Sequence, residues 1–177
     1  MSFLKTLALA HRKHEGWFSG SVSQRNNNPG NLRLTKYQMH AYGAVPGERN
    51  FARFPTYAVG FRALQDDIRA KITGRSAHID YSSNPTFLDY IKVYAPAADS
   101  NNPKGYTQAL IYSLRKSGYY LDTNTPLTVM AQYLEGSYRS PYALSIQMNI
   151  SRLRRAFARA TGALKRRIGK RLARLRK

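Results

Sequence analysis

The chain has no cysteine, and only nine acidic residues stand against 29 basic ones. The missing cysteine excludes a disulfide scaffold and thiolate metal sites. It leaves the compartment open, because many extracytoplasmic proteins lack cysteine as well. Also missing is any apolar run near the ~20 residues that a membrane-spanning helix needs. The N-terminal MSFLKTLALAHRK starts like a secretory signal. Its apolar centre, TLALA, falls short of the ~7–15 residues of an h-region, so the segment reads as a helix of the domain.

What is present suffices for one folded domain with an appendage. The 177 residues are 42% apolar and include seven Phe and 13 Tyr, enough for a packed core. The net charge of +20 is unevenly spread. Residues 151–177 hold 12 Lys or Arg and no acid, while all nine acids lie earlier in the chain. A moderately basic body with a strongly cationic tail should seek polyanions.

Helix signals recur along the chain. The first helix is predicted from an N-cap at Ser2 to Glu15, with Gly16 as its stop. Leu4, Leu7, Ala8, His11 and Glu15 share its core-facing stripe. Residues 17–55 show no helical periodicity; Asn31–Thr35 and Asn50–Phe54 alternate, and Pro46-Gly47 marks a turn, which predicts a small β-hairpin or short sheet. Helices follow over Thr56–Gly74, from Asn84-Pro85, from Asn102-Pro103 to Gly118, and from Thr125-Pro126 to Gly136. The fold class is therefore α+β, mostly helical, with one small β insertion. Residues 1–140 form the main domain. Residues 141–177 follow as a basic amphipathic helix that begins at Ser140-Pro141, its apolar stripe running from Ile146 to Leu175.

The segment His11–Leu34, HRKHEGWFSGSVSQRNNNPGNLRL, carries the chemistry. Glu15 closes the buried stripe at the negative end of the helix dipole. Partial desolvation and that dipole both disfavour its charged form, which is how a general acid is prepared. Three consecutive asparagines suit neither helix nor strand interiors and belong to loops, where their amides hydrogen-bond. Asn28 and Asn31, flanking the Pro29-Gly30 turn, are the candidate ligand contacts, since an amide both donates to and accepts from hydroxyls and acetamides. Arg25 and Arg33 are expected to orient the loop or meet carboxylates. Trp17 either walls the acid or anchors the loop. Tyr94, before Ala-Pro where a helix must stop, and Tyr106 are candidates for the rim of a cleft, with Tyr90 as their core-like counterpart. His11 and His14 lie three apart on one helix face, but neither HExxH nor HxH spacing occurs and only His40 and His78 remain as partners. Neither a metal nor a cofactor is expected.

Four pieces in fixed order resemble the lysozyme-like superfamily, particularly phage muralytic proteins related to soluble lytic transglycosylases. They are HEGW (His14–Trp17), RNNNPGNLR (Arg25–Arg33), FARFPTYAVGFRAL (Phe51–Leu64) and YAPAADSNNPKGYTQAL (Tyr94–Leu110). The resemblance covers residues 2–140. It implies that Glu15 is the acid/base, that the Asn-rich segment lines a glycan cleft, and that an aromatic on a later helix stacks on a sugar. Three positions depart from the pattern. Cell-wall transglycosylases often place Ser after the glutamate, where this chain has Gly16. Phage-type lysozymes with His-Glu-Gly carry Asp and Thr where this chain has Gln24 and Gly30.

Ordinary glycosidases flank the bond with two carboxyl groups. One carboxyl serves a lytic transglycosylase, as the resemblance implies: Glu15 protonates the oxygen between N-acetylmuramic acid and N-acetylglucosamine, then takes the muramoyl 6-hydroxyl proton as a 1,6-anhydro ring closes. A hydrolytic muramidase stays open if Glu48 supplies a second carboxylate. So does a virion structural or nucleic-acid-binding protein on the same scaffold. In the tail, Arg154, Arg155, Arg159, Lys165, Arg166, Arg167, Lys170, Arg171 and Arg174 flank the apolar stripe, which favours an interface such as lipopolysaccharide or an anionic membrane surface over nucleic acid alone. The expected protein is a monomer acting on peptidoglycan in the bacterial periplasm or cell wall, with a place in a virion as the alternative.

Overall fold

The computed structural model describes residues 1–137, which hold seven helices and one two-stranded antiparallel sheet. The helices are α1 (Phe3–His14), α2 (Val22–Arg25), α3 (Lys36–Tyr42), α4 (Tyr57–Ile72), α5 (Phe87–Tyr94), α6 (Pro103–Lys116) and α7 (Leu127–Glu135). The strands are β1 (Val45–Pro46) and β2 (Ala52–Arg53), paired Val45 to Arg53 and Pro46 to Ala52. The mostly helical α+β expectation holds at this level. The predicted helix over 141–177 lies outside the described residues.

Caps explain most boundaries. The side chains of Ser2, Thr56 and Asn102 accept from backbone N–H groups one turn into α1, α4 and α6. Pro103 opens α6, where a missing N–H costs nothing. Gly136 ends α7 in the left-handed conformation. Helix α5 begins at Phe87 rather than at Asn84-Pro85, because Thr86 and Asp89 form a reciprocal capping box.

Helix α1 is the central strut and packs against α4, α6 and α7, while α5 packs on α6. Leu7 and Ala8 on its inward stripe are fully buried, with Leu64, Ile68 and Ile72 of α4, Phe87 and Ile91 of α5, Leu110 and Leu114 of α6, and Leu127 and Met130 of α7. Each large apolar side chain of this kind stabilises the fold by about 1.5–3 kcal/mol relative to exposure.

The region 17–55 departs from the predicted hairpin. Asn31–Thr35 and Asn50–Phe54 meet at a single bridge, Arg33 to Phe51, and the two strands sit at 45–46 and 52–53 instead. Two helices, α2 and α3, occupy stretches read as non-helical. With four and seven residues they are too short to show an apolar period. Their signal was in the caps. Thr35 and Gln38 form a capping box, and Ser21 caps Gln24 at the same spacing.

The turn before the sheet is seated directly on α4. A Cβ at Gly60 would stand 1.8 Å from the Asn27 carbonyl oxygen, and one at Gly30 would stand 2.6 Å from Leu64 Cδ1. Replacing Gly60 by Ala should therefore destabilise by about 1–3 kcal/mol through overpacking, although alanine is the better helix former by about 1 kcal/mol. Chemical denaturation measures this. An unchanged or raised midpoint would show that the turn does not rest on the helix.

Candidate active site

Glu15 is the C-cap of α1, its N–H bonded to the His11 carbonyl at 2.8 Å, and Gly16 turns the chain away with φ +71°. The carboxyl group is half-buried. Tyr106 donates its hydroxyl to Oε1 at 2.7 Å, and Asn31 donates its amide to Oε2 at 2.9 Å. The same Asn31 amide reaches the Glu15 carbonyl oxygen at 3.2 Å, satisfying a helix-end acceptor that has no partner within the helix. Burial raises the pKa of Glu15 above its ordinary value, and the hydrogen bonds from Tyr106 and Asn31 pull against that rise without cancelling it. The result is a carboxyl group that holds its proton more tightly than a solvated one.

Behind Tyr106 lies His11, fully buried one turn earlier on α1. Its Nδ1 is 2.8 Å from the Tyr106 hydroxyl and its Nε2 is 2.7 Å from the Tyr90 hydroxyl. The ring of Tyr94 leans on the same imidazole at 4.4 Å between centroids. Burial first, then the positive charges of Lys71 and His14, push the His11 pKa down from 6.5 to about 3, so the imidazole is neutral near pH 7. With both nitrogens occupied by tyrosines, His11 has no lone pair left for a metal ion. Among the described residues no group of three or more His, Asp or Glu side chains gathers into a metal cage.

The asparagine run holds the loop facing this acid. Asn26 is buried and pairs with the Glu48 backbone in both directions, and Asn27 donates to the Phe54 carbonyl. Asn28 is fully buried; its amide donates to the carbonyls of Leu32 and Ala52, and its oxygen accepts from Leu32 N–H. That corrects the expectation of Asn28 as a ligand contact, since its polar atoms serve the backbone. Asn31 is brought to the acid as expected. It adopts φ +46°, and its Oδ1 is buried without a hydrogen-bond partner.

Glu15 and Asn31 open into a cleft of about 420 Å³ that Phe18, Phe51, Arg25 and Arg49 help to line. Glu15 is the sole carboxylate in its lining among the described residues. Glu48 does not line it. Both Glu48 oxygens are held by the Arg25 guanidinium at 2.8 and 2.6 Å, and that hydrogen-bonded pairing lowers its pKa, so it is a clamp for the loop and not a proton carrier. A larger cavity, about 520 Å³, lies between α3 and α4; there Asp66 accepts from the Tyr42 hydroxyl and Asp67 pairs with Lys71 through Oδ1, while its buried Oδ2 has no hydrogen-bond partner among the described residues.

The aromatic expectations are also revised. Tyr106 is buried and spends its hydroxyl on Glu15, with His14 stacked on its ring at 3.8 Å, so it is no sugar platform. Tyr94 donates to the Gly30 carbonyl at 2.7 Å and pins the turn. Trp17 packs on Tyr57 at 4.9 Å and anchors the chain after the acid. The aromatics at the cleft are Phe18, 66% exposed, and Phe51, over which the Arg33 guanidinium lies at 4.8 Å. Sequence reasoning missed Phe18, Phe51 and Arg49, because no spacing or motif marks a loop residue as cleft-lining. At two of the departures from the resembled pattern, Gln24 accepts from Gly20 N–H, and Gly30 leaves room for Leu64 and Tyr94. Arg154, Arg155, Arg159, Lys165, Arg166, Arg167, Lys170, Arg171 and Arg174 lie outside the described residues.

The raised pKa of Glu15 has a stability consequence whose sign is fixed. The folded chain binds this proton more tightly than the unfolded one, so the contribution is present below the unfolded pKa and is lost as pH rises through the folded pKa. Glu15→Gln should therefore melt higher than the wild type at pH 7, the gap narrowing as pH falls towards 4. Thermal unfolding across that range checks it, and a lower melting point for the variant at pH 7 would contradict the desolvation of Glu15.

Set against known proteins, the chain matches no family model, no curated protein and no solved structure.

Proposed function

We propose that the protein cleaves peptidoglycan glycan strands as a lytic transglycosylase on a lysozyme-like domain, with Glu15 as its single acid/base. The observation that carries this reading is a partly buried carboxyl group, held by two donors and with its pKa raised by desolvation, at the wall of a polar cleft with no second carboxylate in its lining among the described residues. The residue order that resembles the muralytic phage proteins adds the substrate class.

Protonated Glu15 gives its proton to the glycosidic oxygen between N-acetylmuramic acid and N-acetylglucosamine as the bond to the anomeric carbon breaks. The electron pair of the O–H bond stays on the carboxylate. That carboxylate then removes the proton of the muramoyl 6-hydroxyl, whose oxygen closes on the anomeric carbon. Glu15 ends protonated, ready for the next bond, and no water is consumed. One acid/base in this role supplies about 10²–10⁴-fold in rate. Asn31 lines the cleft beside the acid and holds Glu15 Oε2 through its amide. Arg49 gives the cleft a cationic side suited to the carboxylates of the glycan or its peptide stems, the Arg25 charge being paired with Glu48.

Glu15→Gln should lower turnover on purified peptidoglycan by about 10²-fold or more with the fold retained. Retained activity would remove Glu15 from the mechanism. Product mass decides the reaction type: anhydro ends are lighter by one water than the ends left by a hydrolytic muramidase. A wild type that clears no peptidoglycan would instead favour the virion structural reading.

The tail is proposed to hold the enzyme at lipopolysaccharide or another anionic surface. Its 12 basic residues and continuous apolar stripe support an interfacial helix. Deleting residues 151–177 should spare activity on isolated peptidoglycan and reduce binding to intact Gram-negative cells; equal binding would count against targeting.

A further inference from the structure

The two hydrogen bonds of His11 have a direction that the positions of their partners determine. Tyr90 is fully buried, and its hydroxyl has one hydrogen-bond partner among the described residues, His11 Nε2. If Nε2 carried a proton, Tyr90 could only accept from it, and the tyrosine proton would be buried with no acceptor. A buried donor left unmade costs far more than a bond in water returns. Tyr90 therefore donates, Nε2 is bare, and the proton of the neutral ring sits on Nδ1. Nδ1–H in turn donates to the Tyr106 oxygen at 2.8 Å; the neighbouring Tyr94 hydroxyl spends its proton on the Gly30 carbonyl, and the Tyr106 proton goes to Glu15 Oε1 at 2.7 Å. The chain runs one way, from Tyr90 to His11 to Tyr106 to Glu15.

We infer that His11 is a positioning residue for the acid: by holding Tyr106 as an obligate donor to Oε1, it confines the proton that Glu15 transfers to Oε2. This inference rests on the proposed role of Glu15. Both carboxyl oxygens accept a hydrogen bond, and the shorter and obligate one, from Tyr106 at 2.7 Å, selects Oε1 as the carbonyl oxygen, the stronger acceptor of a protonated carboxyl group, which leaves the hydroxyl on Oε2. Oε2 faces the Asn31 amide, which donates to it and leaves a lone pair for the carboxyl hydrogen. The Oε2–H bond breaks towards the glycosidic oxygen, and the proton of the 6-hydroxyl returns to the same Oε2.

The surroundings support a neutral ring. From α1 His11 feels His14 and from α4 it feels Lys71; Glu15 and Asp67 act on the tyrosines, and from α5 and α6 Tyr90, Tyr94 and Tyr106 close around the ring. The adjacent cations disfavour a second proton on the ring, and the buried phenols offer no countercharge near neutral pH.

Two measurements on the full-length chain test this independently of whether the chain is an enzyme. Long-range ¹H–¹⁵N correlation of the imidazoles at pH 7, with His11 assigned by its loss in His11→Phe, should show a protonated Nδ1 and a bare Nε2. The opposite tautomer, or an imidazolium, overturns the inference. The ¹³C titration of the Glu15 carboxyl should move to higher pH in His11→Phe, because the carboxylate loses a fixed donor; an unmoved midpoint also overturns it. If the phenylalanine variant does not fold, His11→Asn keeps an N–H near the Nδ1 position and takes its place. There the carboxyl titration should stay near that of the wild type, and a large shift counts against the donor role.

Kinetics then test the link to the reaction. His11→Phe should lower kcat on peptidoglycan roughly tenfold with little change in KM, as loss of a supporting hydrogen bond does. His11→Asn should recover most of that loss. Because His11 acts through Tyr106, the double variant His11→Phe/Tyr106→Phe should be no slower than Tyr106→Phe alone. Losses that multiply would show that His11 acts elsewhere. An inactive wild type with the expected tautomer and titration would defeat the enzymatic reading and leave the hydrogen-bond assignment standing.

Discussion

A neutral imidazole in the core, hydrogen-bonded on both sides by tyrosines, is the contact on which the rest of the molecule is arranged. His11 ties α1 to α5 through Tyr90 and to α6 through Tyr106. Those bonds are directional in a way that apolar packing is not, and they fix the rotation of α1 about its own axis. Because Glu15 follows one turn later on the same face, fixing that rotation also aims the carboxyl group. A core of leucine and isoleucine alone would bury the helix as well but would place its last residue less narrowly. Here fold and site share one set of hydrogen bonds.

The facing wall solves a different problem, that of holding an irregular segment still without a ladder. Asn26, Asn27 and Asn28 each send a side chain to the backbone of residues 48–55 or to their own turn, replacing strand pairing with amide contacts. Amides suit this because each offers a donor and an acceptor without carrying charge into a buried place. The Arg25–Glu48 fork closes the outer end of the same segment where solvent can reach it. Charge is kept outside and neutral polarity inside, the order that desolvation demands.

Much of this was legible beforehand. Glu15 stood out because an apolar stripe of α1 ends on it, and helix period is the signal that sequences carry best. The later helices announced themselves through polar caps and punctuating Pro and Gly, with boundary errors of a few residues where a capping box such as Thr86–Asp89 prevailed over the Asn-Pro signal. Helices α2 and α3 were hidden because they are stabilised by caps and tertiary contacts and not by an amphipathic face. Asn28 was misread for a general reason: a loop amide looks the same in sequence whether it serves a ligand or its own backbone. Burial separates the two, and burial in a loop has no period. Tyr106 was read as a candidate for the rim of a cleft, whereas its buried hydroxyl is turned onto Glu15, since ring and hydroxyl functions share one letter.

The tight seat of the Asn27 carbonyl on Gly60, at a spacing that leaves no room for a methyl group, bears on recognition as well as on packing. A loop that could breathe would have to surrender its conformational freedom each time a polymer strand entered, and that entropy would be subtracted from affinity. In this chain the turn from Asn26 to Asn31 is ordered by folding itself, so the strand proposed above as its ligand would meet a wall that is already set. Rigidity of that kind spares any ligand the cost of ordering the wall, so none of its binding energy is consumed in reshaping it.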